Sequence, residues 1–334
     1  VARYILRRLA LLPLLLVGVS LLLFVITHLI PADPAKLIAG PHAGPEQIAE
    51  VRRVFGLDRP LPVQYLVFLA GLARGDLGTS IQTDRPVAAD LREYFPATFE
   101  LTAAAMVATI AIGVPLGVAA AIRRGGVVDL VAQLLGLSGL SFPIFFFGLV
   151  MQLLFSRWLG WLPLGGRIGP DVTAPAGPTG LYLVDALVAR DAAALASALH
   201  YLVLPALTLT LAVLALVVRI TRSSMLEVLS QDFIRTARAK GLVPFTVYLR
   251  HGLRNALIPV VTVMGLFSGG LLGGVFLVEL IFAWPGVGLY SVDAILALDY
   301  PAIMGTALLV TVVYIIVSLL VDVAYALLDP RIRY

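Results

Sequence analysis

Six stretches of the chain run apolar for about twenty residues, at roughly 9–30, 97–122, 130–155, 199–221, 256–283 and 302–328. At 1.5 Å per residue, about 20 helical residues cross the hydrocarbon core of a bilayer. The pattern therefore predicts six transmembrane helices, with ionisable residues mostly near their ends. The fourth is the weakest, because its central run from Leu202 to Val218 is short. Pro115 and Pro143 are expected to kink their spans. Between the first two spans, Pro45 follows Gly44, Ile48, Val51, Val54 and Phe55 repeat at helical spacing, and Gly56 closes the run. Pro62 opens a second run through Val63, Leu66, Leu69 and Leu72, ending near Arg74-Gly75. These signals predict two amphipathic helices lying on the membrane face or over a cavity mouth. Segment 160–198 is rich in Gly, Pro and Ala and carries no strong pattern. The expected fold is an all-α polytopic bundle with a first span over 1–30, a helical extracytoplasmic segment over 31–95 and a five-span core over 96–334.

Composition agrees. Hydrophobic residues make up 60% of the chain and charged residues 13%, against about 25% charged in a soluble domain. Arg3, Arg7 and Arg8 precede the first apolar run, as in a signal peptide, but the run is long and no small-x-small site follows His28-Leu29-Ile30-Pro31, so an uncleaved span is expected. With the N-terminus in the cytoplasm, segments 1–8, 123–129, 219–255 and 329–334 are also cytoplasmic and hold 14 of the 24 basic residues. The loop Arg123-Arg124 is the clearest indicator of orientation. An even span count then puts both termini inside. The net charge of +4 forms no basic face with stacking aromatics, which argues against a nucleic-acid partner. The chain has no cysteine, and its four histidines show no metal-ligand spacing.

The longest polar stretch on the inner side is 223–255. Ser230 is placed to cap a helix with Asp232 in its first turn. Arg235-Thr236-Ala237-Arg238-Ala239-Lys240 runs to Gly241, a helix stop, and Pro244 opens a second helix leading into the fifth span. The loop reads either as a basic segment held near anionic lipid or as a rigid surface for a partner, with Ala237 and Ala239 small enough for close approach.

The stretch Asp232–Gly241, with its continuation to Arg254, resembles the "EAA" loop of permease subunits of bacterial ABC importers. Arg235-Thr236-Ala237 take the place of E-A-A, Gly241 is the glycine, and His251-Gly252-Leu253-Arg254 stand for I-x-L-P. The strings R-T-A-R-A-K-G-L and R-H-x-L-R-N-A-L-x-P are similar to the dipeptide/oligopeptide/nickel branch. Similar strings recur along the chain: Phe55–Tyr65, Gly75–Ser80, Pro96-Ala97-Thr98, Gly113–Gly117, Leu159–Pro163, Val278-Glu279, Trp284–Gly288, Asp299-Tyr300-Pro301 and Leu328–Tyr334. The resemblance implies a non-enzymatic subunit of the bacterial cytoplasmic membrane that supplies half of a pathway for peptides, with nickel or glutathione as alternatives. Its implied partners are a second homologous permease, two cytoplasmic ATPases that hold ATP and Mg, and an extracytoplasmic binding protein. It makes Asp232, Arg235, Thr236, Ala237, Arg238, Lys240 and Gly241 the ATPase-coupling loop, with Ala237 and Gly241 on the floor of the ATPase groove. Consistently, the chain has no G-x-x-x-x-G-K-[ST] string.

Gly265, Gly269, Gly270, Gly273 and Gly274 on the fifth span form two small-xxx-small rows, which suit either close helix packing or a bare backbone lining a path. Glu279 near the outer end of that span, with Asp293 and Asp299 beyond it, is either a solvated carboxylate or a contact for a cationic substrate group. Asp322 in the sixth span is either partnered or snorkels to the interface. Two rival functions have little support. An intramembrane protease would need a histidine near Ser138, and His200 and His251 fall at other depths. An ion-coupled transporter would want ionisable residues at mid-span, where these spans have almost none.

Overall fold

The computed structural model describes residues 2–29, 34–40, 42–54, 56–141 and 143–328; the side chains of 2–9, 27–29, 34, 37, 38, 137–141, 266–274 and 325–328 lie outside that description. The regular elements among the described residues are helices: α1 (Ala2–Leu29), α2 (Pro34–Ala39), α3 (Pro45–Val54), α4 (Leu61–Ala73), α5 (Val87–Ile122), α6 (Val127–Ser141), α7 (Ile144–Met151), α8 (Tyr182–Ala189), α9 (Ala192–Leu229), α10 (Asp232–Ala239), α11 (Pro244–Thr246), α12 (Arg254–Ile281), α13 (Val287–Leu296) and α14 (Tyr300–Leu328). Two π-helical turns, Gln152–Trp158 and Val247–Leu253, continue α7 and lead into α12. Among the described residues, three helices are long and apolar enough to cross a membrane: Val87–Ile122, Ala192–Leu229 and Tyr300–Ala324.

Several boundaries differ from the expected spans. The fourth begins at Ala192 rather than near 199, because Asp191 caps it, its carboxylate accepting from the amide of Ala194 at 2.9 Å, and alanines carry the helix into the apolar run. The third is two helices. Pro143 has no amide hydrogen and sits at φ −62°, ψ 145°, so it starts α7 instead of kinking one continuous span. Pro115 stays inside α5. In the supposedly patternless segment 160–198, α8 forms. Helices α3 and α4 lie where Pro45 and Pro62 place them, and Gly56 and Gly75 close them at φ +64° and +79°. Helix α4 is not amphipathic, however: LPVQYLVFLAGLA is apolar around nearly its whole circumference.

Helix α9 is the axis of the bundle. It packs against α5, α12, α6, α7 and α8, and the main core is built along it from Leu202, Leu204, Leu209, Val213, Val217 and Met225, with Leu101 and Val114 of α5 and Val260, Val275 and Val278 of α12. Of its apolar window, 72% is buried, against 6% for α14, most of whose described residues are half-buried. The α5–α9 seam is closed by Gly113 and Gly117. A Cβ on Gly117 would lie 2.6 Å from Thr221 Cβ and 2.8 Å from the Val218 carbonyl, and one on Gly113 would lie 3.0 Å from Val217 Cγ1. Glycine four residues apart is what lets the two backbones meet. Helices α12 and α14 touch through Gly265, where a Cβ would stand 2.5 Å from Val321 Cγ1.

Candidate functional site

Two places concentrate polar chemistry, one at each end of α12. That helix has 28 residues, about 42 Å at 1.5 Å per residue, so its two ends are well separated.

At its N-terminal end lies α10. Ser230 does not cap it. Ser230 instead ends α9, its hydroxyl donating to the Glu227 carbonyl at 2.7 Å, and the N-cap of α10 is Gln231. Helix α10 has two faces. Ile234 and Ala237, three residues apart, are buried against Val247 and Leu229, forming a small cluster that meets the main core through Leu229. Asp232, Phe233, Arg235, Thr236, Arg238, Ala239 and Lys240 face outward. The Arg235–Asp232 pair at 3.4 Å is 78% and 94% exposed, so it adds little to stability and leaves both charges accessible. Gly241 ends the helix at φ +75°, with open space where a Cβ would be; its value is the backbone conformation, not its small size. After the turn, Pro244 starts α11, which continues through the π turn into α12 without interruption. Buried Ala237, at 6% exposure, cannot line the floor of a partner's groove; it is part of the seat that holds α10. At the same end Asp129 of α6 is paired with Arg222 of α9 and accepts from the Gly125 amide at 2.9 Å. The guanidinium hydrogen bonds, helped by that amide, hold the Asp129 carboxyl well below the usual carboxylate range.

At the far end, Glu279 is fully buried. Its carboxylate accepts from the Thr98 hydroxyl at 2.6 Å and the Leu289 amide at 3.0 Å, and the Thr98 oxygen accepts from the Val287 amide at 2.8 Å. Gly286 and Gly288 wrap the carboxylate so closely that a Cβ on Gly288 would sit 2.8 Å from Oε2 and one on Gly286 would overlap the group. The carboxylate therefore sits at the N-terminus of α13, where the helix dipole favours negative charge. Trp284, donating to the Ala97 carbonyl at 2.9 Å, completes the junction of α5, α12 and α13. The string Trp284-Pro285-Gly286-Val287-Gly288 is thus the backbone cradle of Glu279.

Three more buried carboxylates staple this end. Asp299 accepts from the Ser80 hydroxyl at 2.6 Å and from the amides of Gln82 and Ala302. Asp90 accepts from Thr83 at 2.6 Å and Tyr290 at 3.3 Å and pairs with Arg85 at 3.3 Å. Burial, with the Asp90 charge beside it, pushes the Tyr290 phenol above its ordinary value, so the phenol stays a hydrogen donor. Glu100 accepts from Arg167 at 2.7 Å and from the Leu183 amide at 2.8 Å, while Arg167 also donates to the Gly180 carbonyl and covers the Tyr182 ring at 3.7 Å. This fully hydrogen-bonded buried pair fixes segment 167–183 on α5.

Of the residues singled out from sequence, Asp232 through Gly241 come together as one exposed element on a buried seat. Glu279 and Asp299 are brought to the same end but as internal ties, not as solvated carboxylates at an open mouth. Gly265 packs on α14; the surroundings of Gly269, Gly270, Gly273 and Gly274 lie outside the described residues. Sequence reading missed Thr98, Arg167 and the Asp129–Arg222 pair, whose partners are distant in the chain.

A family model described as "Binding-protein-dependent transport system inner membrane component" matches residues 113–334, and a second, for the N-terminal part of such membrane components, matches residues 1–102. The chain is 46% identical to the probable D,D-dipeptide transport system permease protein DdpB of Escherichia coli (strain K12), over 96% of this chain and 94% of that protein. It is 43% identical to the dipeptide transport system permease protein DppB of Alkalihalophilus pseudofirmus, over 99% of each, and 44% identical to the glutathione transport system permease protein GsiC of Pectobacterium atrosepticum, over 99% and 98%. A solved structure of the inward-facing methionine ABC transporter MetNI shares the fold, with a TM-score of 0.50 and 16% identity over 70% of this chain and 93% of that one.

Proposed function

The chain belongs to the family of binding-protein-dependent transport system inner membrane components, and on that premise we propose that it is one of two homologous permease subunits of a di- or oligopeptide importer. Two separate ATPase subunits or domains bind ATP and Mg, and an extracytoplasmic binding protein delivers the substrate. The chain crosses the bacterial inner membrane six times with both termini in the cytoplasm. Its organisation is a first span over 1–30, an extracytoplasmic segment over 31–95 and a five-span core over 96–334, with the coupling loop 223–255 inside it. Nothing in this family role requires chemistry from the chain itself.

The observation that carries the proposal is the two-faced α10. Its inner face, Ile234 and Ala237, is seated on Leu229 at the end of α9 and on Val247 in the π turn that leads into α12, and its outer face offers Arg235, Arg238 and Lys240 to a partner. A surface that transmits force needs this combination: a charged contact outside and a stiff joint to two spans inside. Movement of the ATPases presses on α10 and is passed to α9, which carries α5 with it through the Gly113–Gly117 seam. The relatives favour peptides, and the glutathione permease at similar identity supports glutathione, itself a tripeptide, as the second reading.

The test is reconstitution of the complete transporter in lipid with its binding protein. Dipeptide-loaded binding protein is expected to raise ATP hydrolysis severalfold over the unloaded protein, with peptide accumulating inside. Stimulation by glutathione alone would move the chain to the second reading, and stimulation by neither would overturn the peptide assignment.

A further inference from the structure

Helix α4 belongs to the segment read as lying outside the membrane, yet it is tied to the middle of α1. The Tyr65 hydroxyl donates to the Val17 carbonyl at 3.0 Å and lies 3.0 Å from the Ser20 hydroxyl, which itself donates to Val17 at 2.9 Å. The Tyr65 ring packs on Phe24 with centroids 5.3 Å apart. Ser20 and Phe24 are buried there. Val17 and Ser20 sit inside the apolar run of α1, and nine residues separate Ser20 from the end of that helix at Leu29, about 13 Å at 1.5 Å per residue.

The polar inventory of α4 is used up internally. It has two hydrogen-bonding side chains. Gln64 turns back to donate to the carbonyls of Leu57 and Arg59 at 3.2 and 2.8 Å, and Tyr65 is held by α1. What remains outside is a stripe of Val63, Leu66, Val67 and Ala70 at helical spacing, with Leu66 63% and Val67 55% exposed. This stripe has no group for water to solvate, and α1 likewise exposes Leu21, Leu22 and Val25. Charges appear only beyond the helix ends, at Asp58-Arg59 and Arg74-Asp76. A helix of 13 residues, about 20 Å long, is too short to span. It suits an in-plane helix sunk about 5–10 Å below the headgroups, with its terminal arginines snorkelling back to them.

We propose that α4 is embedded in the outer leaflet, with Val63, Leu66, Val67 and Ala70 packed against lipid acyl chains and Tyr65 fastening it to α1. It anchors the segment between α1 and α5 to the bilayer, so the outer ends of α5 and α14, stapled to that segment by the Thr83–Asp90 and Ser80–Asp299 hydrogen bonds, and α13, tied to Asp90 through Tyr290, are referenced to the membrane itself. The inference rests on α1 being a membrane span.

The chain has no cysteine, so Leu66→Cys and Val67→Cys each create the chain's single labelling site in the assembled transporter. Spin labels there, in lipid nanodiscs, are read by relaxation with oxygen, which partitions into hydrocarbon, and with a water-soluble nickel chelate. Leu22→Cys in α1 and Arg59→Cys serve as references. The expected result is oxygen access well above nickel access at 66 and 67, as at 22, and the reverse at 59. Nickel access at 66 and 67 with Leu22 still in hydrocarbon would overturn the proposal alone. So would exclusion of both agents at 66 and 67, since a protein partner would then cover the stripe. Nickel access at Leu22 would overturn the membrane reading of α1 and the proposal with it.

Discussion

Replacing Glu279 by alanine is expected to cost about 2–4 kcal/mol of stability and to lower the thermal midpoint of the detergent-solubilised subunit by roughly 5–10 °C. The cost has named sources. The Leu289 amide and the Thr98 hydroxyl lose their acceptor in a place water does not reach, the N-terminus of α13 loses its negative partner, and the space between Gly286 and Gly288 is left unfilled. Glu279→Gln keeps the volume and one acceptor for Thr98, so its loss is expected to be smaller, about 1–2 kcal/mol. Thermal unfolding monitored by size-exclusion chromatography separates this role from substrate contact. A structural tie loses stability and transport together in the order alanine worse than glutamine. A substrate contact would lose transport in Glu279→Gln with an unchanged midpoint.

Ile234→Asp is expected to disconnect α10 while leaving the bundle intact. The side chain is fully buried, but its cluster of Ala237 and Val247 is small and meets the core along α9 through Leu229. Putting a carboxylate there without a partner costs about 2–3 kcal/mol even after α10 lifts to solvate it, which shifts the seated population about 30- to 150-fold. The variant should insert and pair with its permease partner normally, yet transport should fall by more than about tenfold. Ala237→Glu acts at the same seat with the same expected direction. Arg238→Ala, on the outer face, is expected to leave the seat intact and weaken only the hold on the ATPase. Transport and co-purification of the ATPase, measured side by side, distinguish the two faces; an Ile234→Asp variant that transports normally would show that the buried face is not part of the coupling.

How much of this was legible in the sequence depends on how far each interaction reaches along the chain. Helix starts at Pro45 and Pro62, the stops at Gly56 and Gly241 and the run from Pro244 into α12 are written within a few residues, because caps and left-handed glycines are local devices. Hydropathy marked the long helices, but not where they begin: the alanines of 192–198 are helix formers of middling hydropathy, and Asp191 as a cap has no apolar signature. Pro143 looked like a kink because a hydropathy window does not see one missing amide. The buried carboxylates were hidden for a different reason. Glu279 meets Thr98 across 181 residues, Asp299 meets Ser80 across 219, and Glu100 meets Arg167 across 67. A local reading can only see an acidic side chain near a span end and suppose water beside it. Ala237 shows the limit within one helix. Its smallness suggested close contact with a partner, but the periodicity it shares with Ile234 already placed it on the same face as a large apolar residue, which is the face that turns inward.

The central claim is that the outer face of α10 is the contact surface for the ATPase, and proximity tests it most directly. Thr236 is exposed on that face, and with no other cysteine in the chain Thr236→Cys carries a single photo-crosslinker on this subunit in the assembled, membrane-embedded transporter. Illumination is predicted to give one dominant adduct, between this subunit and the ATPase, that changes in yield when ATP is added and is lost when Ile234→Asp is combined with it. Adducts only with lipid or with the second permease, in a complex that still hydrolyses ATP and transports, would contradict the account.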